Sequence, residues 1–208
     1  MSETEPFWES VAGYYSAKLR EHGPGHRGVD WNSTESQALR FEQLLKVVDP
    51  IRPFSLTDFG CGYGALVDYL DQKRWTFEYV GFDISAVQIA EAQRIYSTRP
   101  DCRFTDSLSD LSATDYVVAS GVFNVKLAAN AEEWGAYLLR TLDRFNDLSR
   151  HGFAFNVLTS YSDTDFMRPD LYYADPCRLF DHCKRRYARN VALMHDYGLY
   201  EFTILVRK

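Results

Sequence analysis

Two carboxylates and three glycines carry the chemistry that can be read from this chain. Residues 58–64 run Asp58-Phe59-Gly60-Cys61-Gly62-Tyr63-Gly64. Phe54-Ser55-Leu56-Thr57 precedes them and Ala65-Leu66-Val67-Asp68-Tyr69-Leu70 follows, which reads as a strand, a glycine turn and a helix start. Open α/β sheets hold nucleotide-like ligands at such a point. A turn this tight needs positive φ, which glycine adopts at least cost, and missing side chains let a ligand lie on the backbone. Gly60, Gly62 and Ala65 also satisfy the dinucleotide pattern G-x-G-x-x-G/A, so the glycines alone do not choose the ligand. Asp58 helps to choose. Its carboxylate opposes the phosphates of a dinucleotide and favours a ligand with positive groups. A strand-ending Asp that caps the turn is the alternative. Asp83 ends a second apolar run about 20 residues further on, where a carboxylate accepts from both ribose hydroxyls.

The elements that must position these residues alternate along the chain. Residues 6–20 read as an aromatic helix, and His22-Gly23-Pro24-Gly25-His26-Arg27-Gly28 as a breaker-rich loop. Residues 33–48 form an amphipathic helix, with Leu39, Phe41, Leu44, Leu45 and Val48 at near-helical spacing, ended by Pro50 and Pro53. Residues 75–82 form the strand before Asp83, and Ser85 N-caps a helix reaching Tyr96. Further strands are expected at 103–105, 115–120 and 153–158, and helices at 131–148 and 176–187. Strands at 191–195 and 201–206 are separated only by Asp196-Tyr197-Gly198 and its flanks, too short for a parallel crossover, so the pair is antiparallel. The expected fold class is α/β: a doubly wound, mostly parallel seven-stranded sheet with an antiparallel C-terminal pair and helices on both faces. An N-terminal helical or lid segment, 1–32, precedes a single domain at 33–208.

On these motifs the chain resembles the class I S-adenosylmethionine-dependent methyltransferases. The glycine motif is Asp58 to Gly64, with Gly60, Gly62 and Gly64. The ribose acid matches Asp83 in Val80-Gly81-Phe82-Asp83-Ile84-Ser85, and the adenine-contact segment matches Phe104-Thr105-Asp106-Ser107-Leu108. The fourth strand matches Thr114 through Ser120. S-adenosylmethionine carries an ammonium and a sulfonium, which suits Asp58. The resemblance covers about residues 33–208 and implies that Asp106 and Ser107 meet the adenine, with Asp106 accepting from its amino group. It also implies that the methyl points toward Ser120-Gly121-Val122-Phe123-Asn124. Phe123 is expected to line that pocket with a cation–π contact, its alternative being a core position. Related enzymes often place a polar or basic side chain from the N-terminal region on the methionine carboxylate, and Arg40 is the residue chosen here. Ser120-Gly121-Val122-Phe123 departs from the Asp/Asn-Pro-Pro-aromatic motif of amino-methylating nucleic-acid enzymes. Ser120 and Leu158 stand where catechol-type enzymes place metal-binding acids, so no metal is expected. A dinucleotide-dependent oxidoreductase and a non-catalytic S-adenosylmethionine-binding protein are the competing readings.

The acceptor is expected to meet Trp31 and the irregular segment 159–176, with Tyr161 and Tyr173 among its contacts, because long irregular segments in compact domains are usually binding loops. His195, at the end of the sixth strand, and Tyr172 are the candidate general bases, with His26 a third. Their alternatives are structural roles. A chain of 208 residues with 46% hydrophobic residues suits one domain with a sizeable core. A net charge of −6 argues against a nucleic-acid substrate, which wants a basic face. No apolar run spans a membrane and the acidic start lacks a signal-peptide charge pattern, so a cytoplasmic monomer or homodimer acting on a small molecule is expected. The cysteines at 61, 102, 177 and 183 form no C-x-x-C pair. Asp83→Ala is expected to weaken cofactor binding by about 1–3 kcal/mol, the range for hydrogen bonds to a charged group. A folded variant with an unchanged titration curve contradicts the ribose role.

Overall fold

The computed structural model describes residues 5–208; residues 1–4, most of the acidic start read above, lie outside the described residues. In chain order the elements are α1 (Trp8–His22), a 3-10 turn (His26–Val29), α2 (Thr34–Leu45), β1 (Phe54–Phe59), α3 (Ala65–Lys73), β2 (Phe77–Phe82), α4 (Ala86–Ile95), β3 (Cys102–Thr105), β4 (Thr114–Ala119), α5 (Ala131–Leu148), β5 (Ser149–Leu158), α6 (Pro176–Arg186), β6 (Asn190–Met194) and β7 (Glu201–Arg207). The seven strands form one sheet in the order β3-β2-β1-β4-β5-β7-β6. Strands β1 to β5 pair in parallel, while β7 pairs antiparallel with both β5 and β6. The seven-stranded, mostly parallel sheet with an antiparallel ending is therefore the fold read from the sequence.

Capping chemistry sets several helix starts. The Ser33, Ser85 and Asn130 side chains accept from the backbone N–H three residues on. Asp175 caps α6 ahead of Pro176, whose missing N–H costs nothing at that position. Strand β5 begins at Ser149, four residues before the apolar signal at Phe153. Its first residue pairs with Thr114, and Gly152 pairs with both Tyr116 and Arg207, so neighbouring strands rather than alternation hold that stretch. The breaker-rich loop contains the 3-10 turn and closes on Asp30 at φ 60°, a left-handed conformation unusual outside glycine.

Parallel strands are buried on both faces and need helices on both. Leu56 and Val118 point to one face, packing with Leu44, Leu66, Leu70 and Ile89 from α2, α3 and α4. Phe59, Val117 and Phe155 point to the other, packing with Trp134, Leu138 and Phe145 of α5 and with Trp8 and Val11 of α1. A buried ion pair crosses from helix to sheet. Arg40 Nε of α2 donates to Glu201 Oε2 of β7 at 2.8 Å, and the Glu201 side chain is fully buried. Glu201 Oε1 accepts from Asn156 Nδ2 at 2.7 Å, and Asn156 Oδ1 accepts from the Gly121 N–H at 2.7 Å. Burial pushes the Glu201 carboxyl above its ordinary range, and Arg40 and Asn156 oppose that rise. Arg40→Leu strands a buried carboxylate and is expected to lower stability by about 3–5 kcal/mol in urea titrations, with Arg40→Leu/Glu201→Leu recovering most of that loss.

Candidate functional site

The glycine turn sits at the C-terminal end of β1. Gly60 (φ +83°) and Gly62 (φ +55°) take left-handed conformations that side chains resist. The N–H groups of Gly60 and Cys61 donate to Phe82 O at the end of β2, at 2.7 and 3.0 Å. Asp83, the next residue, uses both carboxylate oxygens on backbone: Oδ2 accepts from Gly62 N at 2.9 Å and Oδ1 from Ser85 N at 2.8 Å. One side chain thereby fixes the turn after β1 against the start of α4. Gly64 also has positive φ, but the space beside it is filled by the Tyr96 and Phe104 rings, so this glycine serves core packing.

A cavity with about 80 Å³ of free volume opens beside the turn. Its floor is Asp58, Gly60, Gly62, Asp83, Ile84 and Ser120; α1 covers it with Trp8, Val11 and Tyr15, and α5 walls it with Trp134 and Tyr137. Asp58 is 3% exposed and accepts from the Tyr79 hydroxyl at 2.7 Å. Burial raises its pKa to about 7, against the pull of the Tyr79 bond and with a smaller push from Asp83. Burial likewise raises Asp83 to about 6, restrained by its two backbone bonds. Among the described residues neither carboxylate pairs with a cationic side chain. Ser120 Oγ and Gln88 Oε1, both on the cavity wall, are buried without a hydrogen-bond partner. Unpaired acceptors beside two uncompensated carboxylates suit a ligand that brings hydrogen-bond donors and positive charge.

The structure brings Asp58, Gly60, Gly62, Asp83, Ile84, Ser120 and Trp31 together around this space. Other expected site residues go elsewhere. Arg40 does not line the cavity: Nε is committed to Glu201 and Nη1 to Ser36 O, with the guanidinium 3.9 Å from the Trp31 ring centre. Gln37, three residues earlier on the same helix, does line it and is 7% exposed. Asp106 is exposed, and the Ser107 N–H donates to Thr105 Oγ1; neither reaches the lining. Phe123 is fully buried among Tyr137, Phe145 and Phe155, so the core alternative describes it and the pocket contact does not. The Tyr172 hydroxyl turns onto α5, 3.0 Å from where a Cβ on Gly135 would stand. Tyr173 OH accepts from Arg168 N at 2.9 Å. His195 is exposed beside Tyr161 and Phe202, and His26 faces Thr34, so no described histidine lines the cavity. Gln88, Val29 and Tyr15 are lining residues that sequence reasoning did not single out. The available signal was a glutamine on the buried stripe of α4, in line with Ala92.

Comparison with known proteins agrees with this geometry. A family model described as a methyltransferase domain matches residues 57–152. The Mycobacterium tuberculosis protein named "Putative methyltransferase Rv1506c" is 53% identical over 164 residues, covering 79% of this chain and 99% of that protein. Among solved structures, magnesium protoporphyrin IX methyltransferase from Synechocystis PCC 6803 superposes with a TM-score of 0.66 at 15% identity, over 100% of both chains. Human N-acetylserotonin methyltransferase gives 0.63 at 15% identity, over 100% of this chain and 60% of that one.

The two raised carboxyls make stability depend on pH. Each binds its proton more tightly folded than unfolded, so its contribution is fullest below the ordinary Asp value of 3.8 and is lost as pH rises through about 6 to 7. Asp58→Asn removes the charge and keeps an acceptor for Tyr79. Chemical denaturation is expected to show the variant stabilised at pH 8, on the order of 2 kcal/mol, less so at pH 5, and level with the parent only below the ordinary Asp value of 3.8.

Proposed function

The chain belongs to the class I S-adenosylmethionine-dependent methyltransferases, and on that premise we propose that its cavity takes S-adenosylmethionine as methyl donor and a small molecule as acceptor. The observation that carries this reading is the pair of buried carboxylates, Asp58 and Asp83, beside a glycine turn and without a cationic side chain among the described residues. The residues present fit the donor. Asp83 would take a ribose hydroxyl, Asp58 the positive charge, and Gln37 stands where the methionine end would find a polar partner in place of Arg40. Ser120 Oγ, buried and unpartnered at the end of β4, supplies a further acceptor. Membership of this family sets aside the oxidoreductase reading, whose dinucleotide phosphates Asp58 would oppose.

When bound, the donor supplies an activated sulfonium methyl for in-line displacement by the acceptor's nucleophile. The chain's part is to orient and to exclude water. Trp8, Val11, Tyr15, Trp31, Trp134 and Tyr137 give the cavity an apolar, mostly aromatic wall, which strengthens electrostatic contacts inside it. Orientation of two bound reactants supplies roughly 7–11 kcal/mol of such a barrier. No Lys, Arg or His among the described residues lines the cavity. Of the three candidate bases, His26 faces Thr34 and the Tyr172 hydroxyl faces α5, whereas His195 follows β6, the outermost strand, at the strand end the cavity also occupies. None of the three lines the cavity, so His195 serves as base only for an acceptor that extends beyond the cavity toward β6.

A small acceptor is supported by the net charge of −6 and by the aromatic walls, which suit a compact, largely apolar molecule. Metal-independent transfer is supported by Ser120 and Leu158 at the ends of β4 and β5, and by the lack of any cluster of three His, Cys, Asp or Glu among the described residues. No described helix is long and apolar enough to cross a membrane. In thermal-shift titrations, S-adenosylmethionine and S-adenosylhomocysteine are expected to raise the unfolding midpoint, the ligand adding about 2.7 kcal/mol of stability at a hundredfold excess over Kd, and NAD is not. A shift with NAD alone would overturn the donor assignment. Mass spectrometry of candidate acceptors incubated with enzyme and donor then reads the methyl gained.

A further inference from the structure

The amide of Gln88 faces two ways. The residue is fully buried on α4. Its Nε2 donates to Gly28 O at 3.0 Å and to Tyr15 O at 3.3 Å. Two carbonyl oxygens on that side fix the amide's orientation, because a flipped amide would set Oε1 against both. Its Oε1 therefore points the other way, into the cavity wall, where it is buried and has no partner. That oxygen lies 3.7 Å from where a Cβ on Gly62 would stand. The Gly62 N–H is the one held by Asp83.

The carbonyl that Gln88 holds belongs to a strap, residues 26–31, lying across the glycine turn. Val29 Cγ1 is 2.7 Å from the Cβ position of Gly62, and the Trp31 ring is 2.3 Å from that of Gly121. The strap covers the faces of both glycines that a ligand would approach. Asp30 ties it to α1 through the Tyr14 hydroxyl at 2.5 Å and Lys18 Nζ at 2.8 Å. The free volume beneath is about 80 Å³, small beside the roughly 300–1,000 Å³ of small-molecule sites, and the strap lies over it.

We propose that Gln88 is a latch that senses the donor: its NH2 group holds the strap and α1 over the cavity while its Oε1 accepts one ribose hydroxyl of the bound donor and leaves the other to Asp83. The proposal rests on the S-adenosylmethionine reading above and adds to it a residue that couples donor binding to strap closure. Filling the orphaned acceptor holds the amide from its other end as well, and an amide held at both ends keeps Gly28 and Tyr15 more firmly. Donor contact and strap closure are then one thermodynamic event.

The test uses Gln88→Met, which keeps length and apolar fit but removes both donor and acceptor. Titration calorimetry with S-adenosylhomocysteine and its 2′-deoxy and 3′-deoxy forms reads the contact. Trypsin cleavage after the exposed Arg27, followed by mass spectrometry, reads the strap. For the parent chain, S-adenosylhomocysteine is expected to slow cleavage after Arg27. The variant is expected to bind S-adenosylhomocysteine about three- to tenfold more weakly. It should lose much less toward the one deoxy form that lacks the contacted hydroxyl, and be cut faster after Arg27 with and without ligand. Equal losses for all three ligands, or parent-like affinity and cleavage, overturn the proposal. No binding by the parent chain overturns the donor assignment itself and this inference with it. If Gln88→Met does not fold, the parent's cleavage decides: protection of Arg27 by S-adenosylhomocysteine but not by the critical deoxy form supports the latch, and equal protection by all three overturns it.

Discussion

The Asp83 carboxylate holds the functional edge together. Its two oxygens accept from Gly62 and Ser85, so the turn after β1, the end of β2 and the start of α4 become one rigid corner. Ser85 extends the corner outward. Its hydroxyl caps α4 through the Gln88 N–H and meets the Ser16 hydroxyl of α1 at 2.8 Å. The helix that covers the cavity is therefore fastened to the same corner that forms the floor. A carboxylate already satisfied by two backbone donors still has lone pairs for a ligand, and that capacity joins folding to binding in one residue.

The corner also explains the charge of the site. Asp58 and Asp83 are both buried, and Asp83 adds to the burial that hinders Asp58's ionisation, an arrangement that costs stability when no cation is near. Such a cost persists where function uses it. A cationic donor removes the conflict, and its product, without the sulfonium, removes less of it. The aromatic cover over these acids excludes water, so the difference between donor and product is felt at low local dielectric. The Arg40–Glu201–Asn156 chain does related work at the end of β4, holding the Gly121 N–H in place from strands far away in sequence.

Much of this was legible before any fold was known. The alternation of strands and helices, the antiparallel ending and the α5 bounds at Ala131–Leu148 follow from periodicity, capping residues and a short turn. Asp58, Gly60, Gly62 and Asp83 were legible because the glycine turn is local in sequence. What failed was long-range pairing. Arg40 looked like a free cation near the donor, but its partner Glu201 lies 161 residues away. Phe123 follows β4 at the expected place, yet a single residue's direction decides between pocket and core, and spacing does not encode that direction. Tyr172 met the same difficulty in an irregular segment. Gln88 was overlooked because its significance comes from which of its two amide ends lacks a partner.

Strand β7 runs against its neighbours, so its first residue, Glu201, reaches the ligand edge while Arg207 lies at the far edge, donating to Lys46 O. The turn between β6 and β7 thus borders the cavity's edge of the sheet although it comes near the end of the chain. A hairpin turn can lengthen, shorten or change composition without disturbing the register of the strands it joins. Changes in this turn therefore leave the corner built on Asp83 unaltered.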